Sequence, residues 1–290
     1  MQYRERRVKC LSPAGFHDMA YVEWGDPGNP RVLVCVHGLT RSGRDFDFLA
    51  DALAAEYRVV CPDVVGRGAS GWLKNKLFYG MPQYCADMAV LLARLDVESI
   101  DWLGTSMGGL IGMTLAAQED SPIARLILND VGPVLSAGAI SRIGEYVGRM
   151  PRFADVAQAE AWLRVVLAPF GALSDVQWRH LTQHSLRPAG DGQWDLHCDP
   201  GIAEPFRAAM AGEGGGQDVT LWPLYDAIRC PTLVVRGAQS DLLTAATAAE
   251  MATRGPRAPT VEIAGVGHAP PFMDASQIAV VRDFLQRRVG

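Results

Sequence analysis

The feature that most constrains this chain is a rhythm that runs, stops and resumes. Val32-Leu33-Val34-Cys35-Val36 is apolar at every position and ends just before Gly38, the mark of a strand covered on both faces. From Gly43 to Ala55 the apolar residues Phe46, Leu49, Ala50 and Leu53 then fall on one helical face. Arg58-Val59-Val60-Cys61 predicts the next strand, stopped by Pro62, and Tyr84 to Leu95 a helix striped by Met88, Leu91, Leu92 and Leu95. Ile100 to Leu103 (strand), Leu110 to Ala117 (helix) and Arg125 to Leu128 (strand) continue the alternation. It implies a mostly parallel sheet with helices on both faces, because parallel neighbours need crossover connections.

Between Gly132 and Tyr225 the rhythm breaks. Helical spacing is present at Ala157 to Leu167 and Ser174 to His184, but no buried strand stands out. Arg187 to Gly192 is a turn-rich loop, and residues 212–216 form a glycine-rich connection without the Lys-Ser/Thr pair of a phosphate loop. Thr232 to Val235 (strand), Ala245 to Thr253 (helix), Thr260 to Ile263 (strand) and Gln277 to Val289 (helix) then resume the pattern. The expected organisation is an α/β core formed by residues 1–132 and 226–290, with a helical cap inserted at 133–225. Four of the seven tryptophans, Trp162, Trp178, Trp194 and Trp222, fall in that insertion.

Bulk properties narrow the partners. With 290 residues, 49% apolar and 20% charged, the chain has the balance of an ordinary globular protein. A net charge of -5 argues against nucleic acid, and the basic run Arg4-Glu5-Arg6-Arg7 is expected to be a solvated edge beside the first strand. No apolar run reaches the ~18 residues of a membrane span. The N-terminus has no apolar core behind its charges, so a cytoplasmic protein with no membrane partner is expected. None of the six cysteines has metal-finger or redox-pair spacing. No metal and no organic cofactor are expected, and self-association is left open.

The chemistry concentrates at Ser106. It stands in Gly104-Thr105-Ser106-Met107-Gly108, between a predicted strand and a predicted helix, where a tight turn holds the serine in a strained, exposed position. The helix start offers the Met107 N–H to a developing oxyanion. Val36-His37-Gly38-Leu39 ends the strand beginning at Val32, and the Leu39 N–H is the expected second donor; His37 is read as a brace for that loop. Arg41 is expected either at the substrate mouth or beside the helix start at Gly43.

A serine hydroxyl needs a base. His268, in the glycine-shaped loop Ala264-Gly265-Val266-Gly267-His268 directly after the last strand, is the expected one, since strand ends carry the sites of open α/β sheets. His17 lies in a turn-like stretch and His197 in the insertion. His180 and His184 are four apart, but with no third ligand in view they are read as a solvated helix face. Asp241 is the preferred acid because it follows a strand and keeps the order serine, acid, histidine. Asp130 competes from the end of another strand. Asp63, followed by Gly66, Gly68 and Ser70, is expected to shape a turn.

Taken together, His37-Gly38, Asp63 with Gly66, Gly68 and Ser70, the turn around Ser106, Gly237 with Asp241, and Gly267-His268 resemble the α/β-hydrolase superfamily in its capped, esterase-like branch. The resemblance spans nearly the whole chain. It implies an α/β-hydrolase fold and a serine hydrolase that cleaves a small or medium carboxylic ester, or a lactone, through an acyl-enzyme. Val65 stands where the family often has arginine. Ala269 stands where carbon–carbon hydrolases often have tryptophan. Carbon–carbon hydrolysis, perhydrolysis, acyl transfer and a non-catalytic ligand receptor remain as alternatives. Trp162 and Trp178 are expected to face an acyl chain.

Overall fold

The computed structural model describes residues 3–149, 151–211 and 217–287; the glycine-rich stretch at 212–216 lies outside them. The chain opens with an antiparallel hairpin of β1 (Arg4–Ser12) and β2 (Gly15–Trp24). The run Arg4 to Arg7 is therefore the first strand itself rather than a border beside it. Its charges suit an edge strand, where they discourage pairing with another chain. His17, expected in a turn, is buried within β2 opposite Cys10. The signal was weak because apolar residues enter β1 only from Val8 onward.

β3 (Val32–Val36), α1 (Asp47–Leu53), β4 (Arg58–Pro62), α2 (Met81–Leu95), β5 (Ile100–Thr105), α3 (Met107–Ala116) and β6 (Ile123–Asn129) follow in order. α2 starts earlier than its apolar stripe because Pro82 is well placed in a first turn. α3 begins immediately after Ser106, three residues ahead of expectation.

The insertion leaves through β7 (Val134–Leu135) and continues as α4 (Ala137–Tyr146), α5 (Val156–Val166), α6 (Asp175–Gln183), the hairpin β8 (Leu186–Pro188) and β9 (Trp194–Leu196), and α7 (Ala203–Ala211). It returns through β10 (Val219–Thr220), which pairs with β7 and closes the neck. Ser174 starts α6 with a capping box: its side chain accepts from Gln177 N, and the Gln177 side chain accepts from Ser174 N. Next comes α8 (Trp222–Ala227), which packs on the core: Tyr225 is buried and its hydroxyl donates to Met251 O at 2.8 Å. The expected boundary after Tyr225 therefore cuts a helix that belongs to the main body. β11 (Thr232–Gly237), α9 (Ala245–Met251), β12 (Thr260–Ile263) and α10 (Ala275–Gln286) complete the described residues; the end of the expected last helix, Arg288 and Val289, lies outside them.

The main sheet has the order β1-β2-β4-β3-β5-β6-β11-β12, parallel from β4 onward. One face is covered by Met88, Leu91, Ile111, Met113, Tyr225 and Met251 from α2, α3, α8 and α9. The other is covered by Leu49 and Leu53 of α1 and Val281, Phe284 and Leu285 of α10. Burial on both faces explains why β3 reads as an unbroken apolar run. Among the described residues no helix is long and apolar enough to cross a membrane.

Candidate active site

The nucleophile candidate is held by close packing. Ser106 has φ 53° and ψ -115°, a left-handed conformation that a serine adopts only when its surroundings enforce it. Glycine on either side makes the turn feasible. A β-carbon on Gly104 would lie 2.2 Å from the Gly108 carbonyl carbon, and one on Gly108 would lie 2.0 Å from Val36 O. Only bare backbone lets β3, β5 and α3 approach this closely.

His268 reaches this point from the loop after β12. Its Nε2 is 3.0 Å from Ser106 Oγ and its Nδ1 is 2.7 Å from Asp130 Oδ2. A carboxylate only accepts, so Nδ1 carries the proton and Nε2 faces the hydroxyl as the acceptor. Asp130 directly follows β6 with φ 54°, and its side chain is fully buried. Its Oδ1 accepts from Gly237 N at 2.9 Å, and its Oδ2 also accepts from Ser240 Oγ at 2.6 Å.

The expected acid is thereby corrected. Asp241 lies away from His268; its side chain is 57% exposed and ion-paired with Arg142 of the insertion. The loop after β11 does serve the histidine, but through the Gly237 N–H and the Ser240 hydroxyl, which orient the Asp130 carboxylate. Ser240 occupies the inward position and turns its neighbour Asp241 out to solvent. Sequence order could not separate two aspartates that both follow strands.

Asn129 was also missed. Fully buried at the end of β6, it donates from Nδ2 to Thr105 Oγ1 at 2.9 Å and to Pro270 O at 2.8 Å, tying the turn at Ser106 to the histidine loop. Its only sequence signal was its place beside Asp130.

The loop after β3 lies against the serine. A β-carbon built on Gly38 would be 3.7 Å from Ser106 Cβ, so the backbone that carries the Leu39 N–H passes beside the nucleophile. The Met107 N–H is the first of α3 and has no partner within the helix. His37 braces the loop: Nδ1 donates to Gly38 O at 2.7 Å and Nε2 accepts from Val64 N at 2.9 Å. Burial, above all, pushes its pKa down to about 4, so the ring is neutral and fixed in one tautomer. Asp63 accepts from Gly43 N and Ala69 N and shapes its turn; burial pushes its pKa up to about 6.

The three residues expected to meet substrate all have partners within the protein. Arg41 donates through Nε and Nη2 to Asp45 and through Nη1 to Ser185 Oγ at 2.8 Å, linking the loop after β3 to the insertion. Trp162 packs on Phe153, with ring centroids 5.6 Å apart, in a cluster with Ala159 and Leu186. Trp178 is buried with Leu181 and Met273. Trp162 thus serves the core of the insertion, whereas Trp178 seals the insertion against Phe48 and Met273 of the main body.

The insertion bears on the strand ends that carry the site. Gln177 Nε2 donates to Met273 O at 2.8 Å, Gly68 N to His197 O at 2.8 Å, and Gly267 N to Pro169 O at 2.7 Å. Beside Thr105 and Ala269 a cavity of about 20 Å³, closed by Phe46, Phe170 and Met273, is the size of one water.

Among the described residues two clusters have ligand-like composition. His180 and His184 stand near Asp47, so the pair expected on a solvated helix face is turned toward α1. Arg44 grips both carboxylate oxygens of Asp47 at 2.7–3.0 Å, which opposes a dication there. Cys10, His17 and Asp87 form a buried group. His17 Nε2 bonds Asp87 Oδ2 at 2.9 Å, and burial pushes the Cys10 thiol up to about 12, away from the thiolate a metal needs.

Residues 31–275 match the family model for the alpha/beta hydrolase fold. The chain is 54% identical over 280 residues to a 3-hydroxybutyrate-oligomer hydrolase of Cupriavidus necator, covering 96% of each protein. It is 26% identical to a 2-(acetamidomethylene)succinate hydrolase of Mesorhizobium japonicum, over 84% of this chain and 83% of that one. A solved alpha/beta hydrolase from Novosphingobium aromaticivorans superposes with a TM-score of 0.86 at 37% identity, covering 99% of both chains.

Proposed function

From the premise that the chain belongs to the α/β-hydrolase fold family and is an ester hydrolase of that fold, we propose that it cleaves short esters of hydroxyalkanoic acids, such as 3-hydroxybutyrate oligomers, through an acyl-enzyme on Ser106. The observation that carries the reading is the continuous relay from Ser106 Oγ through His268 to the buried Asp130, at 3.0 Å and 2.7 Å. His268 Nε2 takes the hydroxyl proton as Ser106 Oγ attacks the acyl carbon. Asp130 holds the tautomer and stabilises the imidazolium. The N–H groups of Leu39 and Met107 receive the oxyanion. When the intermediate collapses, the alcohol leaves with the proton from His268, and water then repeats the sequence on the acyl group. Similarity over nearly the full length to the oligomer hydrolase supports the substrate class. The insertion, lying over the strand ends, serves as a cap.

A panel of p-nitrophenyl esters from acetyl to octanoyl, with linear 3-hydroxybutyrate dimer and trimer, tests the proposal. Turnover of the short esters and release of monomer from the oligomers are expected, both lost in Ser106→Ala. Activity that survives Ser106→Ala rejects the acyl-enzyme. Binding of the esters without turnover marks a receptor. Turnover of simple esters alone rejects the substrate class.

A further inference from the structure

Arg67, in the loop after β4, is unlike the other arginines. It is wholly buried, yet among the described residues it forms no ion pair. Its acceptors are neutral: Nε donates to Leu39 O at 2.8 Å, and Nη1 to Val65 O at 2.7 Å and Tyr84 Oη at 3.0 Å. Nη2 points at Met107 Sδ, 3.5 Å away, and the guanidinium carbon stands 5.0 Å from the centre of the Tyr84 ring. By contrast, the nearly buried Arg236 pairs with Glu262 and Arg58 with Glu23. A buried cation without a counter-ion is strongly disfavoured, and an anion that forms nearby would be attracted to it. The two residues it grips besides its own loop and α2 are Leu39 and Met107, the oxyanion donors of the proposed mechanism. Its field also reaches this loop, adding to the burial that keeps His37 neutral.

We propose that Arg67 is a positioning residue for the oxyanion: it pins the Leu39 backbone through its carbonyl, braces the turn at Met107, and supplies an uncompensated positive charge that is met only when the tetrahedral intermediate forms. This rests on the acyl-enzyme reading above and deepens it. Fully buried, Arg67 does not touch the substrate; it acts through the two donors. Losing an oxyanion donor outright costs ~10²–10³-fold in kcat, so a group acting through the donors is worth about 10- to 100-fold. The loss falls on kcat rather than KM, because the charge is matched in the transition state and not in the ground state.

The test compares wild type with Arg67→Met and Arg67→Lys. It measures fold by circular dichroism, Tm, kcat and KM on a p-nitrophenyl ester, and the affinity of an alkylboronic acid, which Ser106 converts to a tetrahedral anion. For Arg67→Met, kcat falls about 10- to 100-fold, KM stays within about threefold, and boronic acid affinity drops in step with kcat. Arg67→Lys keeps the charge but not the fork, and falls between. A purely structural role would lower Tm while leaving both kcat per folded molecule and boronic acid affinity unchanged. A folded Arg67→Met with wild-type kcat overturns the proposal, as does a kcat loss without weaker boronic acid binding. Should Arg67→Met fail to fold, wild-type kcat in a folded Arg67→Lys overturns it equally. The acyl-enzyme reading fails on a separate result, activity persisting in Ser106→Ala.

Discussion

Replacing Asp130 by Asn tests the relay most sharply, because the structure dictates what each orientation of the amide must do. Asn tolerates the left-handed backbone at this position (φ 54°), so the change adds little strain. The carboxylate uses Oδ1 for Gly237 N and Oδ2 for both Ser240 Oγ and His268 Nδ1. With the amide oxygen kept toward Gly237, the NH₂ faces Nδ1. The imidazole must then carry its proton on Nε2, where it donates to Ser106 instead of accepting. With the amide reversed, an NH₂ is buried against the Gly237 N–H, an unsatisfied pair costing about 1–3 kcal/mol. The first arrangement is therefore favoured, and it inactivates the base. An equivalent aspartate-to-asparagine change in a serine triad lowers kcat ~10⁴-fold, which at 1.36 kcal/mol per tenfold is about 5.4 kcal/mol of transition-state stabilisation. Asp241→Asn is the control: it loses an exposed ion pair worth about 0–1 kcal/mol and leaves kcat within about twofold. Steady-state hydrolysis of p-nitrophenyl butyrate, with Tm recorded for each variant, reads both. A thousandfold loss in Asp241→Asn alongside a near wild-type Asp130→Asn would refute the reasoning.

Other outcomes follow from the same geometry. His37 has a folded-state pKa near 4, below its unfolded value, so the unfolded chain binds the extra proton between about pH 4 and 6.5 and stability falls as pH drops through that window. In His37→Gln that loss, up to about 1.4 kcal/mol per pH unit, disappears from denaturant titrations run across the window. Gly108→Ala places a β-carbon 2.0 Å from Val36 O and is expected to destabilise by at least about 1–3 kcal/mol, seen as a lower Tm. Asn129→Ala breaks the link between Thr105 and Pro270 and leaves a buried carbonyl unpaired; about 1–3 kcal/mol of stability and part of kcat should be lost, whereas a neutral result would remove Asn129 from the site's support.

The sequence by itself determined what is local. Strand–helix alternation set the sheet, because a buried parallel strand must be apolar throughout and its crossover helix must be amphipathic. Ser106 was legible because a strand, a glycine-flanked turn and a helix start are consecutive in the chain, and His268 because its loop directly follows a strand. Tertiary structure decided what depends on residues meeting from distant places. Asp130 and Asp241 look alike along the chain; only the packing of the loop after β11 turns Ser240 inward and Asp241 outward. Trp162 and Trp178 were expected to face an acyl chain, yet a small inserted unit needs large side chains to pack within itself, as Trp162 does, and to seal against the main body, as Trp178 does. Arg67 carried no distinguishing mark until Leu39, Tyr84 and Met107 converged on it, since whether a buried charge has a partner depends on three-dimensional neighbours that spacing along the chain does not encode.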